Sequence, residues 1–313
     1  MTREVPVLVT GASGCVGAWA LRQLVAEGRP AIAFDLRADT RRLRLLIDEL
    51  QLEQITWVTG DITDLQAVER VLDDHDVGSV IHLAALQAPF CRADPPLGAH
   101  VNVVGTVNLL EAAARRGARI RSFVYASSIA AADGAGLDAP GTIYGVYKRA
   151  TEQVAQLYLR DRGLASIGLR PHTVYGPGRD QGLTSAPSVA MLAAASGTPY
   201  EIPFTGRLTM QYAPDVAAAF VAASDVAGWA GADVFDLPGE TVEVADVVAA
   251  IAAAAPNAAI TASGPSLPFP ADVAPRADAP FADAITSTPL ADGVSDAIDR
   301  FTLLRQQGLL ADN

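Results

Sequence analysis

Three polar side chains in the middle of the chain could carry out proton transfer. Ser128 ends an apolar, strand-like run, and Tyr144 and Lys148 lie four residues apart at the start of a helix-like segment. Residues with that spacing share one helix face, about 6 Å apart along the axis. A tyrosine acts as a base near neutrality only if its pKa falls from about 10 to about 7, and an adjacent ammonium lowers it. The three residues predict a serine that holds a reacting oxygen beside a tyrosine that exchanges its proton.

A glycine-rich turn near the N-terminus has the form of a dinucleotide site. The strand-like run at 5–10 leads into Gly11, Gly14 and Gly17, spaced G-x-x-G-x-x-G, at the start of a helical segment. Glycines here allow a tight turn, close approach of the backbone to a pyrophosphate, and close packing of helix and strand. The helix N-terminus adds N–H donors and a partial positive charge. An unrelated tight turn is the competing interpretation, which the position at the first strand-to-helix junction disfavours.

Acidic residues at the ends of the next two strands extend this pattern. Asp35 lies 18 residues beyond Gly17, where a carboxylate accepts hydrogen bonds from ribose hydroxyls and repels a 2′-phosphate, so NAD is favoured over NADP. Arg37 weakens that preference. Asp61 either faces the adenine or caps a helix, with equal weight. Cys15 is interpreted as a small residue lining the turn and not as a reactive thiol.

The elements that must position these residues alternate regularly. Strand-like runs without inside-outside alternation, separated by helical segments, predict a parallel sheet covered on both faces, an α/β doubly wound (Rossmann) fold. We expect residues 1–176 to form the dinucleotide-binding region with the Ser/Tyr/Lys set, and residues 177–313 a smaller α/β substrate-binding region interleaved with it. The strands are predicted at 5–10, 31–35, 55–59, 79–84, 122–127, 166–173, 200–204 and 233–237, and the helices at 14–28, 41–50, 64–73, 97–116, 142–162, 186–196, 215–227 and 244–255, with a loop-rich passage at 256–280.

Composition excludes several classes of function. The 313 residues carry a net charge of −12, which disfavours binding to a nucleic-acid backbone. No uninterrupted apolar run reaches the ~18 residues of a membrane span, and the first four residues lead directly into a strand-like run, which disfavours an export signal. The two cysteines have no CxxC spacing and the four histidines form no HxxxH pair. We therefore expect a cytoplasmic protein without a metal site.

The motifs together resemble the extended short-chain dehydrogenase/reductase family, in its sugar-nucleotide epimerase and dehydratase branch. Alone, the Tyr144/Lys148 spacing is common by chance; the order and spacing of all the motifs over residues 5–180 carry the resemblance. They are Gly11/Gly14/Gly17, Asp35, Asp61-Ile62, His82-Leu-Ala-Ala85, Asn102-Val-Val-Gly-Thr106, Tyr125-Ala-Ser-Ser128, Tyr144-x-x-x-Lys148 and Arg170-Pro-His-Thr-Val-Tyr-Gly-Pro177, with a weaker echo at Gln211-Tyr-Ala-Pro-Asp215-Val216.

The resemblance implies a role for each matching residue. Ser128 would polarise the substrate oxygen, Tyr144 would be the acid/base, and Lys148 would hold the nicotinamide ribose and tune Tyr144. Asn102 would help to order the nicotinamide side. The remaining expected contacts to NAD are Gly11, Ser13, Gly14, Cys15, Val16, Gly17, Asp35, Leu36, Asp61, Ile62, Leu83, Ala84, Ala85, Pro171 and Val174, and Gln87 and Thr173 are expected to touch the substrate.

The sequence departs from the family at the substrate end. Ser128 is followed by Ile129 and Ala130, where the dehydratases carry an Asp-Glu pair, so net dehydration is disfavoured. The catalytic tyrosine follows 16 residues after Ser128, a shorter loop than is usual in sugar-nucleotide epimerases. Leu208 stands where nucleotide-sugar enzymes place a diphosphate-binding arginine, although Arg207 is adjacent.

These departures favour a substrate without a diphosphate. A diphosphate carries about two charges and normally meets arginine, lysine or several backbone donors. We expect a free sugar, a sugar acid or another polyhydroxy compound, held partly by Arg179 and the polar run at 181–185. With equal weight, Arg179 is a structural partner for a nearby carboxylate.

Three functions remain open. The leading one is an NAD-dependent oxidoreductase that moves hydride to or from a secondary alcohol or ketone of a carbohydrate-like molecule. An NAD-dependent sugar or nucleotide-sugar epimerase, with no net redox change, uses the same half-reaction twice. A non-catalytic dinucleotide-sensing protein needs none of Ser128, Tyr144 and Lys148, so their presence argues against it.

A homodimer is expected from the family resemblance, through the helices at 97–116 and 142–162. Apolar positions such as Val101, Val104 and Leu109 support it, but they would pack equally well against the sheet. No nucleic-acid or membrane partner is expected.

Overall fold

The computed structural model describes residues 5–133, 138–272, 275–276 and 278–310. The expectation for residues 1–4, and the parts of the predicted loop-rich passage at 273–274 and 277, lie outside the described residues. The strands are β1 (Val7–Thr10), β2 (Ala31–Asp35), β3 (Ile55–Thr59), β4 (Ser79–His82), β5 (Ser122–Ala126), β6 (Ser166–Arg170), β7 (Thr173–Tyr175), β8 (Tyr200–Ile202), β9 (Arg207–Tyr212), β10 (Ala232–Asp236), β11 (Glu240–Glu243) and β12 (Ile260–Ala262). The helices are α1 (Cys15–Ala26), α2 (Glu49–Leu52), α3 (Leu65–Asp74), α4 (Ala88–Ala93), α5 (Pro95–Ala99), α6 (Gly105–Arg116), α7 (Ile143–Arg162), α8 (Ala186–Ser196), α9 (Ala213–Ser224), α10 (Val244–Ala254) and α11 (Leu290–Gln306).

A seven-stranded parallel sheet forms the centre of the molecule, in the order β10-β6-β5-β4-β1-β2-β3. Its strands are buried on both faces: Val7 and Val9 point into one core, and Leu8 points into the opposite one. Helices α1 and α9 cover the first face, and α3, α6 and α7 cover the second. Because both faces are covered, the strands are nearly continuous apolar runs, and the predicted doubly wound α/β fold is confirmed.

The strand order reverses beside β1, with β2 and β3 on one side and β4, β5 and β6 on the other. In doubly wound sheets this reversal opens a crevice outside the carboxyl ends of the strands, where ligands bind. The strand ends that border it here are Thr10, Asp35, His82 and Ala126.

The C-terminal region adds two small sheets, β11-β9-β7 and β12-β8, and a third core with α8, α10 and α11. The strand predicted at 166–173 is two strands in different sheets, because Pro171 lacks an N–H and interrupts the ladder between Arg170 and Thr173. Strand β10 pairs with β6 in the central sheet. The chain therefore passes back and forth between the two regions.

Three helices differ from the sequence prediction, and one of them, α4 at Ala88–Ala93, lies where no helix was predicted. The helix predicted at 41–50 is a 3-10 turn, Leu43–Leu45, followed by α2, because Asp48 caps the N-terminus of α2 with its side chain. Helix α11 was not predicted, although Leu290, Val294 and Ile298 recur at helical spacing and are buried in the third core.

No helix in the described ranges has the length and apolar character needed to cross a membrane. The same residues bring no three potential metal-ligating side chains together. Cys15 and Cys91 are both free thiols.

Candidate active site

A cavity of about 1110 Å³ follows the carboxyl ends of the central strands, from the glycine turn to the N-terminus of α7. Most of the predicted site residues line it. Two predicted residues do not: Asn102 is buried behind the wall, and Thr173 is fully buried with its hydroxyl against Nδ1 of His172. The predicted substrate contact of Thr173 is therefore not supported by its position. The predicted residues that line the cavity are Gly11, Ser13, Gly14, Cys15, Val16, Gly17, Asp35, Leu36, Asp61, Ile62, Leu83, Ala84, Ala85, Gln87, Ser128, Tyr144, Lys148, Pro171, Val174 and Arg179.

The glycine turn is shaped for close approach. A Cβ atom on Gly17 would collide with the carbonyl oxygen of Gly11, so α1 reaches this position against β1 only without a side chain there. Helix α1 begins after Gly14 with no side-chain cap and no acidic residue in its first turn. Its free N–H donors and the positive end of its dipole therefore remain available at the cavity wall, and this donor set fits a pyrophosphate.

The two strand-end carboxylates are already held by the backbone. Asp35 accepts hydrogen bonds from the Ser13 N–H at 2.9 Å and from the N–H of the residue that follows it at 2.8 Å. A carboxylate has further lone pairs, so this fixed group can still accept from ribose hydroxyls. Asp61 lines the cavity and accepts from the N–H and the hydroxyl of Thr63, both at 2.8 Å. It caps the turn after β3, whereas Asp64 caps α3.

A chain of hydrogen bonds runs beneath the cavity floor. Thr10 Oγ1 lies 2.7 Å from His82 Nδ1, His82 Nε2 lies 3.0 Å from Thr106 Oγ1, and Thr106 donates to the Asn102 carbonyl oxygen at 2.7 Å. Burial lowers the pKa of His82 to about 3, so the ring is neutral. The Asn102 amide then brackets Leu86, donating to its carbonyl oxygen at 2.9 Å and accepting from its N–H at 2.7 Å. Asn102 therefore acts on the loop that lines the cavity.

Ser128, Tyr144 and Lys148 meet at the other end of the cavity. Lys148 Nζ lies 5.8 Å from the centre of the Tyr144 ring and donates to the Ala126 carbonyl oxygen at 2.7 Å. Burial lowers the pKa of Lys148 to about 8. Burial also raises the pKa of Tyr144 above its ordinary value, and the Ser128 hydroxyl and the Arg179 charge lower it by less.

The predicted fall in the pKa of Tyr144 is therefore not found in the protein alone. Desolvation of the phenolate outweighs the nearby positive groups. A base form near neutrality needs a further positive charge in the cavity, which an oxidised nicotinamide carries.

Close packing brings the serine and the tyrosine together. A Cβ atom on Gly145 would overlap the carbonyl oxygen of Ala130, so the start of α7 lies directly against the turn after β5. Thr142 caps α7 by accepting from the Gly145 N–H at 3.0 Å. Ser128 begins that turn and accepts from the Ala130 N–H at 3.2 Å. Tyr144 therefore lies beside Ser128 although 16 residues separate them.

A buried ion pair next to Lys148 was missed by sequence reasoning. The Ser127 hydroxyl donates to the carboxylate of Glu152, and Arg170 donates to both oxygens of that carboxylate at 2.7 Å. These contacts tie β5, β6 and α7 together. The available signal was that Glu152 follows Lys148 by four residues and so shares its helix face.

Arg179, Gln87 and Thr184 lie together in the lining of the cavity. The sequence assigns Arg179 and Gln87 to the substrate, so we call this part the substrate end. Arg179 is at its centre. Its guanidinium donates to the Thr184 hydroxyl at 2.9 Å. With the Gln87 amide oriented as its neighbours require, the amide oxygen accepts from Arg179 at 3.2 Å and the nitrogen donates to the Gln181 carbonyl oxygen at 3.0 Å. The Nε atom of Arg179 is buried, and no atom in the described part of the chain forms a hydrogen bond with it.

Two further residues connect the walls of the cavity. Arg42 donates to the Ser13 carbonyl oxygen at 2.8 Å and to the Asp180 carboxylate at 2.6 and 3.0 Å. Sequence reasoning missed this pair, because its members lie 138 residues apart and follow no motif. Arg207, the alternative diphosphate ligand, instead pairs with Asp272 and does not line the cavity.

The chain is similar to known proteins in both sequence and structure. A model of the NAD dependent epimerase/dehydratase family matches residues 7–233. The UDP-glucose 4-epimerase of Mycolicibacterium smegmatis is 32% identical over 235 residues, which cover 71% of this chain and 74% of that protein. UDP-glucuronate 4-epimerase 2 of Arabidopsis thaliana is 32% identical over 186 residues, 55% of this chain, so the match spans less than half (43%) of that relative. The crystal structure of Thermus thermophilus UDP-glucose 4-epimerase with NAD superposes with a TM-score of 0.77 at 25% identity, covering 95% of this chain and 99% of that one.

Proposed function

The chain belongs to the NAD-dependent epimerase/dehydratase family, and from this premise we propose that it is an NAD-dependent oxidoreductase acting on a secondary alcohol or ketone of a carbohydrate-like substrate. One observation carries the proposal. Ser128, Tyr144 and Lys148 line the same cavity as the glycine turn and Asp35, so a hydroxyl pair and a dinucleotide site share one space.

Each residue has a defined task in this reaction. Ser128 donates a hydrogen bond to the substrate oxygen, and Tyr144 takes the hydroxyl proton as that oxygen becomes a carbonyl, or returns it in the reverse direction. Lys148, already beside the Tyr144 ring, stabilises the phenolate and holds the nicotinamide ribose. When bound, NAD supplies the ring that takes up or returns the hydride.

A sugar epimerase without net redox change is the second candidate. The two curated relatives named above are UDP-sugar 4-epimerases, and the Arg42–Asp180 pair links the two walls of the cofactor crevice, which favours retention of the dinucleotide. An epimerase keeps its NAD through purification and shows no lasting change in nicotinamide absorbance with substrate, whereas a dehydrogenase releases NADH. Absorbance and sugar products, followed together with NAD and with NADP, separate the two.

Replacement of Tyr144 tests the catalytic assignment. We expect Tyr144→Phe to lower turnover by about 10²- to 10⁴-fold, because the proton acceptor is lost, with NAD affinity nearly unchanged. Tyr147→Phe is the matched control, since that hydroxyl donates to the Pro95 carbonyl oxygen outside the cavity. If Tyr144→Phe retains turnover, the catalytic role assigned to Tyr144 is wrong. If the wild type binds NAD but turns over no substrate, the dinucleotide-sensing function replaces the oxidoreductase.

The expected homodimer remains part of the proposal. Of the three apolar positions that suggested it, Leu109 is buried against the sheet and Val101 lines the cavity, while Val104 is exposed. Exposed Leu97 and Val146, on α5 and α7, are further apolar positions on this side of the molecule. Light scattering tests this expectation, and a monomer at the concentration used for activity assays would contradict the homodimer.

We also expect the protein to act in the cytoplasm. Its two cysteines are both free thiols, which suits a reducing compartment.

A further inference from the structure

The charges that line the cavity are unevenly distributed. At the cofactor end the acidic residues are Asp35 and Asp61, and the carboxylate of Asp180 is taken by Arg42. At the substrate end the charged residues of the described lining are basic: Lys148, Arg179 and Arg92. A ligand with a negative charge near the reacting carbon would balance this end.

Arg179 is the cation best placed to hold that charge. It is half-buried, and its hydrogen-bond partners in the described chain are the neutral groups of Thr184 and Gln87, with no carboxylate in ion-pair range. Its Nε atom is buried and has no hydrogen-bond partner among the residues that the structure describes. An arginine kept from water with spare donors is costly unless an anion completes it, and its planar fork matches a carboxylate with two parallel hydrogen bonds.

The bound anion must lie close to the chemistry. Arg179 lines the same cavity as Ser128 and Tyr144, and its charge lowers the pKa of the Tyr144 phenol. The diphosphate of a nucleotide sugar is separated from the reacting carbon by the sugar ring, whereas a carboxylate on the reacting molecule is not. Arg207, the other candidate for a diphosphate, is paired outside the cavity.

We propose that Arg179, oriented by Gln87 and Thr184, binds a carboxylate of the substrate, so that the substrate is a sugar acid or similar hydroxy acid and not its neutral counterpart. This rests on the proposed oxidoreductase function. The rival anion is the cofactor pyrophosphate, because Arg179 also lowers the pKa of Cys15 in the glycine turn. The fixed contacts of Arg179 favour the substrate, since its partners Gln87 and Thr184 are not part of the glycine turn, and that turn already offers the uncapped N–H donors of α1 to a pyrophosphate.

Matched pairs of compounds test the proposal: glucose against glucuronate, and UDP-glucose against UDP-glucuronate, each with NAD. We expect kcat/KM for the acid to exceed that for the neutral partner by about 100-fold in the pair that is turned over, the value of a charge-assisted bidentate contact. Arg179→Gln should reduce this ratio to near one. The ratio is the decisive quantity, because the change in the Tyr144 pKa affects acid and neutral compound alike.

Two controls assign any effect. Arg92→Gln removes the same charge from an exposed position at the cavity rim and should leave the ratio within about threefold. NAD affinity, measured by calorimetry without substrate, should be nearly unchanged in Arg179→Gln. A fall of tenfold or more in NAD affinity with an unchanged acid-to-neutral ratio assigns Arg179 to the cofactor and overturns the proposal.

The remaining outcomes separate this inference from the function beneath it. Turnover of the neutral compounds at equal or higher kcat/KM refutes the carboxylate site and leaves the oxidoreductase intact. If no compound is turned over, glucuronate and glucose are titrated into the NAD-loaded protein. Tighter binding of glucuronate that Arg179→Gln abolishes supports the inference, and equal binding overturns it, while the lack of turnover with every compound counts against the oxidoreductase function alone.

Discussion

The two ends of the cavity differ in how completely the protein satisfies its own polar groups. At the cofactor end, Asp35 accepts from two backbone N–H groups, His82 lies between two hydroxyls, and Arg42 is paired with Asp180. At the substrate end, the partners of Arg179 within the described ranges are neutral, and its buried Nε atom has no partner there.

This difference distinguishes a cofactor site whose hydrogen bonds are already formed from a substrate site whose polar groups gain partners only when a ligand binds. A buried polar group without a partner costs free energy, and a satisfied one holds its neighbours in place. The cofactor end therefore has its binding geometry before any ligand arrives. The substrate end holds charges that gain their partner only on binding, and these are the groups that should select the substrate. Substitutions at the two ends should thus change different properties of the protein.

The largest expected effect comes from the glycine turn. Gly17→Ala should weaken NAD binding by about 100-fold or more, because the new methyl group would collide with the Gly11 carbonyl oxygen and push α1 from its position. Gly14→Ala is the matched control, since its Cβ would lie 3.1 Å from the same oxygen and needs only a small shift. Calorimetric titration with NAD measures both, with circular dichroism to verify folding. Equal losses of NAD affinity in the two variants would contradict the inference that close packing of Gly17 against the Gly11 carbonyl oxygen sets the position of α1.

Replacement of Asp35 should change which dinucleotide is preferred. Asp35→Ser removes the carboxylate that repels a 2′-phosphate, and we expect the ratio of NADP to NAD affinity to rise about 10- to 100-fold. Asp39→Asn makes the same change in net charge at a position that does not line the cavity and should leave the ratio unaltered. If the ratio of NADP to NAD affinity is unchanged in Asp35→Ser, a group other than the Asp35 carboxylate distinguishes the two dinucleotides.

Breaking the ion pair between Arg42 and Asp180, which connects the two walls of the cavity, should affect the rate of NAD release. Asp180→Asn is expected to speed NAD dissociation by only about threefold, since its side chain is 59% exposed and exposed ion pairs contribute little. Arg42→Met should have the larger effect, because it also loses the bond to the Ser13 carbonyl oxygen. Arg41→Met, which breaks an exposed pair with Asp39, is the control. Stopped-flow displacement measures the rate of NAD dissociation. The same rate in all three variants would show that the Arg42–Asp180 pair does not help to retain NAD.

What could be predicted from the sequence was local. The glycine turn, Asp35 and the Tyr144/Lys148 pair depend on spacings within one strand, turn or helix, so pattern alone located them. The Arg42–Asp180 pair joins distant segments, and the raised pKa of Tyr144 follows from burial by several elements, so neither is encoded in a short pattern. Thr173 shows the same limit: its motif matches, but its side chain is fully buried with the hydroxyl against His172 and does not line the cavity.

The last expected effect concerns stability and not ligand binding, and it comes from the neutral His82 beneath the cavity floor. His82 has a pKa of about 3 in the folded protein and an ordinary value near 6.5 when unfolded. Between these values the unfolded chain binds one proton more than the folded chain, so the free energy of unfolding falls as the pH falls below about 6.5, by on the order of 1 kcal/mol per pH unit. His82→Gln removes this dependence, and the carboxylates common to both proteins cancel in the difference. Urea unfolding of wild type and variant between about pH 4 and 7 should therefore show curves that converge on acidification. Parallel curves would mean that His82 is protonated in the folded state, and that the cofactor end is not the electrically satisfied region that its hydrogen bonds indicate.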